Sequence, residues 1–385
     1  VTGLSGGGWQ TILLAALDQR VKIAVPVAGY SSIRQRLYHT NSLGDLEQIT
    51  TDFAKHCDYV HLNAMCCPRP LLMIYNTRDD CCFVSHTVKP NTFDPVKPFY
   101  AQAGAASELS YVENSDPGTH NFERLNREQL YEFLGRRGFF DLTKWGTDEI
   151  PSDDDVLSEQ QLLVALPDDG VDFNTLAAST ASALPRPLNG AVEEMRDQLR
   201  DVLHAPRYEV YATRFTGHQA FHHAAVRQVV LRCNEDWSLP AAIVEPNEVR
   251  EDVMLICDEG FSTSMDRVEA LSDQGARVFL VDPLLIGQSA PSGLLYQQAM
   301  LISSVGARPL GIQTSQVVSA ARYFRRLFDT PLIRLEAIGP RSAMIAQCAA
   351  ALDSGKSIRS LRLVGGVKSL EEYLQPSADY VRTPE

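Results

Sequence analysis

A serine hydroxyl is a weak nucleophile at neutral pH. It becomes useful when a base takes its proton and an acid holds that base in one tautomer and orientation. The sequence supplies one of each in three separate stretches: Ser5 in VTGLSGGGWQT, an aspartate pair in TRDDCCF, and His120 in SDPGTHNFE. Gly3-Leu4-Ser5-Gly6-Gly7 fits G-x-S-x-G, the pattern of a tight strand-to-helix turn that forces its serine into a strained conformation and exposes the hydroxyl. The backbone N–H of the next residue, Gly6, then faces a developing oxyanion, and the start of a helix adds favourable charge.

Those three stretches need elements to hold them. VTGL is strand-like and QTILLAALDQ has helical spacing, which gives the strand, turn and helix around Ser5. KIAVPVAGY (22–30), PLLMIYN (70–76) and, more weakly, ELSYVEN (108–114) are short apolar runs bounded by Gly, Pro or Asn and read as strands. NREQLYEFLGRR reads as a helix, with Asn126 as its expected N-cap. Strands alternating with helices predict a mostly parallel sheet with helices on its faces. Asp79 or Asp80 then follows the second apolar run and His120 the third, in the order Ser, acid, His. SSIRQRLYHTNSLGDLEQITTDFAKHCDYVHLNAMCC (31–67) is too long for a simple connection and is expected to shape a substrate pocket.

The chain has 385 residues, 44% hydrophobic and 22% charged, with a formal net charge of −13, which describes a globular protein of about two domains. That charge argues against nucleic acid, whose phosphates demand clustered Lys and Arg, and against an anionic membrane surface. No apolar run approaches the roughly 20 residues needed to span a bilayer. The 8 cysteines include the neighbours Cys66-Cys67 and Cys81-Cys82 but no C-x-x-C. They read as small buried apolar residues rather than a disulfide framework or metal site. Any leader would precede Val1, so the compartment is not legible, although a secreted or periplasmic setting is compatible.

Three regions follow. Residues 1–140 hold the α/β pattern with the three loops. Residues 141–190, with TDEIPSDDDVLSE and STASALPRPLNG, read as a linker around a short ordered stretch. From 191 to 385 a second α/β pattern appears: VEEMRDQLRDVL is amphipathic, and YEVYATRF, VRQVVLRC, SLPAAIVEP, VMLICDEG, RVFLVDP, PLIRLEAIG and SIRSLRLVGG are strand-like. EAIGPRSAMIAQCAAAL resembles a strand, a turn and an elbow helix. Aligned from Gly339, it puts Arg341 at the nucleophile position and Ser342 one place beyond, with Met344 where a small residue is wanted. No acid and histidine follow in the expected loops. His222 and His223 are adjacent, so they point apart on a strand and do not read as a metal site.

Four motifs in register, VTGLSGGGWQT, VPVAGY, PRPLLMIYNTRDDCCF and DPGTHNFERLNR, resemble the acetyl xylan esterase and dienelactone-hydrolase-like branch of the α/β-hydrolases. The resemblance covers residues 1–140. It implies an α/β-hydrolase-type fold, partial in this chain; the later stretch separately reads as a second, inactive α/β-hydrolase-like domain, the alternative being an active one that uses Ser342 with partners beyond Glu385. By the resemblance Ser5 is the nucleophile, His120 the general base and then acid, Asp79 the residue that orients His120, and Gly6 an oxyanion donor. Asp79 is preferred to Asp80 because it stands first after the strand. The implied activity is hydrolysis of small-molecule or polysaccharide carboxylic esters through an acyl-enzyme, acetyl groups on carbohydrate foremost, without metal or organic cofactor. The early strands of that fold and the loop with its other oxyanion N–H do not precede Ser5, so residues 1–140 are expected to be the carboxyl half of such a domain. A prolyl-oligopeptidase-type serine peptidase shares the triad order. A non-catalytic pair of modules binding polysaccharide is the other alternative, although Trp145 and Trp237 lie outside the three loops. The oligomeric state is not legible.

Overall fold

The computed structural model describes residues 1–39, 46–184, 190–215, 219–221, 223–293 and 295–374. The chain divides into two compact units. The first consists of Val1–Ala165 with Ser303–Gly306, and the second takes up at Leu166.

The first unit is built on four parallel strands, β1 (Thr2–Leu4), β2 (Val25–Val27), β3 (Leu71–Asn76) and β4 (Leu109–Asn114), hydrogen-bonded in that order. Register pairs Leu4 with Val27, Val27 with Ile74 and Asn76 with Asn114, so the carboxyl ends of the strands line one edge of the sheet. β3 is one of the two inner strands. All six of its residues are buried, which explains why LLMIYN reads as a continuous apolar run rather than an alternating one. The helix Gly6–Leu17 follows β1 and buries Gly8, Thr11, Ile12, Ala15 and Ala16, a stripe at helical spacing. The helix Arg124–Gly135 follows β4, and its N-cap is Glu123. Asn126 therefore lies inside the first turn, fully buried, and not at the cap: its amide is drawn into the protein by partners described below.

Residues 141–190 carry short helices, Leu142–Trp145, Glu159–Leu162 and Phe173–Ala183, with side chains that are mostly exposed. STASA, read from sequence as linker, closes the last of these helices. Asp172 accepts the N–H of Thr175 at 2.6 Å and so starts it in the ordinary way.

In the second unit all seven strand-like stretches form strands: β5 (Val210–Phe215), β7 (Ala224–Cys233), β8 (Trp237–Pro246), β9 (Glu251–Cys257), β10 (Ala276–Val281), β11 (Ile333–Ile338) and β12 (Ile358–Val364), with a short β6 (Gln219–Phe221) added on β7. The sheet runs β12-β11-β9-β10-β8-β7-β5. β9–β12 are parallel, whereas β8, β7 and β5 join them antiparallel. β9 and β10 are thus exchanged in space relative to their order in the chain. The helix Pro309–Phe328 covers one face, where Phe324 stacks on Phe279 with ring centroids 4.4 Å apart. The protein is thus α/β throughout, with a parallel sheet flanked by helices in one unit and a mixed sheet in the other. No helix among the described residues is long and apolar enough to cross a membrane.

Candidate active site

Ser5 sits between β1 and its helix with φ 56° and ψ −121°, a conformation that costs a non-glycine residue of order 1–3 kcal/mol. Close backbone approach on both sides holds it there. Its N–H donates to Val27 O at 3.0 Å, and its carbonyl accepts the N–H of Trp9 at 3.0 Å. A Cβ on Gly3 would meet the carbonyl carbon of Gly7 at 2.6 Å, and one on Gly8 would meet Val27 O at 2.7 Å. Gly3 and Gly8 are therefore steric requirements of the elbow. Gly7, although it fills a position in G-x-S-x-G, has open space where its Cβ would go. Gly6 supplies one of the first N–H groups of the helix, which have no intrahelical partner.

The acid and the histidine meet. Asp79 Oδ2 lies 2.8 Å from His120 Nδ1, with the carboxylate fully buried and the imidazole partly exposed. A carboxylate only accepts, so Nδ1–H donates and Nε2 is left as the basic nitrogen. The other oxygen, Asp79 Oδ1, accepts the N–H groups of Cys81 at 3.0 Å and Cys82 at 2.9 Å, and more loosely that of Phe83 at 3.4 Å. Burial alone would raise the pKa of Asp79. The hydrogen bond from His120 and those from the two amides outweigh it and leave the carboxyl below its ordinary value. Asp80 holds the backbone instead of the ring, its Oδ1 accepting the N–H of His120 at 2.8 Å.

The sheet explains why this needs help. β1 and β4 are three strand spacings apart, about 14 Å, so a histidine after β4 must return along the edge toward Ser5. The returning loop is laced to the end of β3. Thr77 N–H donates to Asn114 O at 2.9 Å, Arg78 N–H to Gly118 O at 2.8 Å, and the Arg78 guanidinium to Ser115 O at 3.1 Å. Buried Asn126 donates through Nδ2 to Asn121 O at 2.8 Å and Asn76 Oδ1 at 3.1 Å. Asp80, Asn76, Asn121, Asn126 and Arg78 thus position the pair. Sequence alone does not single them out for that role, since Asn and Arg beside strand ends look like ordinary turn residues.

The described parts of the long connection, residues 31–39 and 46–67, have a polar interior. Tyr75 Oη donates to Tyr30 O at 2.6 Å, Tyr30 Oη to Asn63 Oδ1 at 2.7 Å, and Tyr59 Oη to Gln48 O at 2.9 Å. Burial pushes the Tyr59 phenol up to about 12. Arg36 is wholly buried, its guanidinium 5.3 Å from the ring centroid of Tyr59 and 5.5 Å from that of Phe83, two residues along the same loop as Cys81. Glu47 Oε1 would lie 3.7 Å from a Cβ on Gly6, which brings this connection to the oxyanion side of the elbow.

The second unit also has a strand-to-helix turn, with glycine at its corner. After β11 the residue at the strand-to-helix corner is Gly339, φ 99° and ψ 158°, and the helix Pro340–Asp353 starts directly behind it. The corner residue is therefore Gly339 and not Arg341, because the corner precedes Pro340, whose fixed φ suits the first helical residue. Ser342 is 0% exposed, with its Oγ buried among the described residues without a hydrogen-bond partner. Asp258, after β9, accepts the N–H groups of Ser342 at 2.6 Å and Arg341 at 3.1 Å. Asp282, after β10, accepts those of Phe261 and Gln288, both at 2.9 Å. Carboxylates of the chain itself thus occupy these backbone amides. His223 is exposed in a turn, and His222 lies outside the described residues. Among the described residues no group of three or more His, Cys, Asp or Glu is placed to hold a metal ion. Of the cysteines, Cys66, Cys233, Cys257 and Cys348 are buried as expected, but Cys57, Cys67 and Cys82 are half-buried and Cys81 is exposed.

No protein-family model and no curated protein matches the chain. Among solved structures it is similar to an acetyl xylan esterase from Paenibacillus sp. R4, with 12% identity and a TM-score of 0.39 over 53% of this chain and 70% of that one. A dienelactone hydrolase from Anabaena variabilis ATCC 29413 matches with 20% identity and a TM-score of 0.31, over 40% of this chain and 69% of that one. Acetyl xylan esterase 1 from Thermoanaerobacterium sp. JW/SL YS485 matches with 13% identity and a TM-score of 0.33, over 46% and 58%. The chain spans between 58% and 70% of the length of these structures.

Proposed function

We propose that the protein is a serine hydrolase of carboxylic esters, with Ser5 as nucleophile, His120 as general base and then acid, and Asp79 as the residue that fixes the imidazole. The observation that carries this is the buried Asp79 carboxylate 2.8 Å from His120 Nδ1, on the sheet edge where the strained Ser5 turn also opens. His120 Nε2 takes the proton of Ser5 Oγ as it attacks the ester carbonyl. The Gly6 N–H stabilises the oxyanion, and the proton then passes to the departing alcohol. Water, deprotonated by the same nitrogen, releases the acid from the acyl-enzyme. The motif resemblance of residues 1–140 directs the substrate toward acetyl esters, carbohydrate acetates first among them.

Turnover of p-nitrophenyl acetate by the protein and by Ser5→Ala tests this. The expected result is measurable turnover that the variant loses by at least about 10³-fold while keeping its circular dichroism spectrum. Equal rates in both would sink the serine mechanism. Saturable polysaccharide binding without turnover would favour the binding-module alternative, and cleavage of prolyl peptides in place of acetyl esters the peptidase.

A further inference from the structure

The two adjacent cysteine pairs behave differently. Cys66 Sγ and Cys67 Sγ turn to separate carbonyls, Leu62 O at 3.5 Å and Phe99 O at 3.8 Å. Cys81 Sγ and Cys82 Sγ face each other at 2.7 Å, and Cys81 is exposed. The backbone N–H groups of this second pair are the ones that donate to Asp79 Oδ1. From this juxtaposition we infer that Cys81 and Cys82 form an oxidisable dithiol, which a small-molecule disulfide of the glutathione disulfide class closes into a ring that switches off the Asp79–His120 pair.

The chemistry balances. The thiolate of exposed Cys81 attacks one sulfur of the oxidant, forming a mixed disulfide and releasing one small thiol. The Cys82 thiolate then attacks the Cys81 sulfur and releases the second. Two electrons pass from the cysteines to the oxidant, whose S–S bond is replaced by two S–H bonds. The peptide bond between Cys81 and Cys82 is trans, so their Cα atoms stand about 3.8 Å apart, short of the roughly 4.4–6.8 Å that disulfides prefer. The ring is therefore strained, and ordinary monothiols reopen it, which suits a regulatory bond better than a structural one. Closing it is expected to turn the peptide plane between the two residues. That plane carries the Cys82 N–H, the shorter of the two hydrogen bonds to Asp79 Oδ1.

The loss of activity rests on the triad reading, whereas ring formation does not, so the test reads both. The protein is equilibrated with reduced and oxidised glutathione at several ratios, then alkylated, digested and mapped by mass spectrometry beside a p-nitrophenyl acetate assay. In oxidising mixtures the peptide spanning Cys81 and Cys82 is expected to lose the mass of two hydrogens and to escape alkylation, while turnover falls at least about tenfold and dithiothreitol restores it. Cys81→Ser, whatever its own rate, should show no oxidant-dependent loss. A peptide that stays doubly alkylated under every mixture overturns the proposal, as does a closed ring with undiminished turnover. A ring that forms in a protein inactive even when reduced upholds the dithiol and counts against the triad instead.

Discussion

Asp79 is where one residue's surroundings decide most. Its two oxygens are used on different partners, the His120 ring and the amides of the following turn. Replacing it with Asn keeps the shape but offers an NH₂ group where Nδ1–H needs an acceptor. Asp79→Asn is expected to lower kcat by about 10⁴ in the ester assay. Asp80→Asn keeps an acceptor for the His120 amide and should cost less than tenfold, and the reverse ranking of the two variants would contradict the assignment. The lowered pKa of Asp79 also links to stability. A carboxyl whose folded pKa lies below its unfolded one stabilises the fold above the unfolded value, and that contribution disappears as pH falls through the folded value. Wild type should therefore hold its advantage over Asp79→Asn down to about pH 3.8 and lose it below, as read from urea midpoints across pH. Ser5, His120 and the aspartate pair are legible in the sequence because nucleophile chemistry restricts residue types. The division of labour between Asp79 and Asp80 is not, because neighbouring side chains differ only in direction, and the sheet settles direction.

The elements of the first unit are legible to the extent that a strand or helix is set by its own pattern. LLMIYN is an inner strand, but KIAVPVAGY shrinks to Val25–Val27, since a strand is only as long as its neighbours pair with it. Asn126 has the look of a cap, yet the helix has already begun at Arg124, and the residue serves instead as a buried tie between the His120 loop and β3. Long-range partners of this kind leave no local pattern. Asn126→Ala would orphan Asn76 Oδ1 and leave Asn121 O only the long 3.5 Å bond from Asn76 Nδ2, for a loss of about 1–3 kcal/mol by denaturant unfolding. The elbow glycines give a sharper contrast. Gly8→Ala must push a methyl into Val27 O and the Cα of Gly29 and should destabilise the unit by about 1–3 kcal/mol. Gly7→Ala enters open space within a helix and should be neutral or stabilising by up to about 1 kcal/mol. Equal losses at both positions would show that the elbow is not packed as described.

Over the whole molecule each unit has a strand-to-helix corner of this kind, serine at the first, and at the second glycine with the following amides taken by Asp258. Pattern matching puts Arg341 at the second corner, two places late, because it treats Gly339 as the first residue of G-x-S-x-G when that glycine is the corner itself. The second unit's order rests on its own charges. Glu336, 0% exposed on β11, meets Arg267 at 2.9 Å, Arg334 at 2.8 Å and Arg362 at 3.4 Å. Removing that charge takes one carboxylate from three partly exposed arginines, of which Arg334 keeps Glu251, so Glu336→Gln should cost about 1–3 kcal/mol of unfolding free energy. In the proposed mechanism Ser5 carries the acyl group. Its most direct test is to mix the protein with p-nitrophenyl acetate, quench in acid and map the acetylated residue by mass spectrometry. Acetyl is expected on the peptide containing Ser5, increased when deacylation is slowed and absent in Ser5→Ala. Acetyl found only elsewhere, with turnover that survives Ser5→Ala, would contradict it.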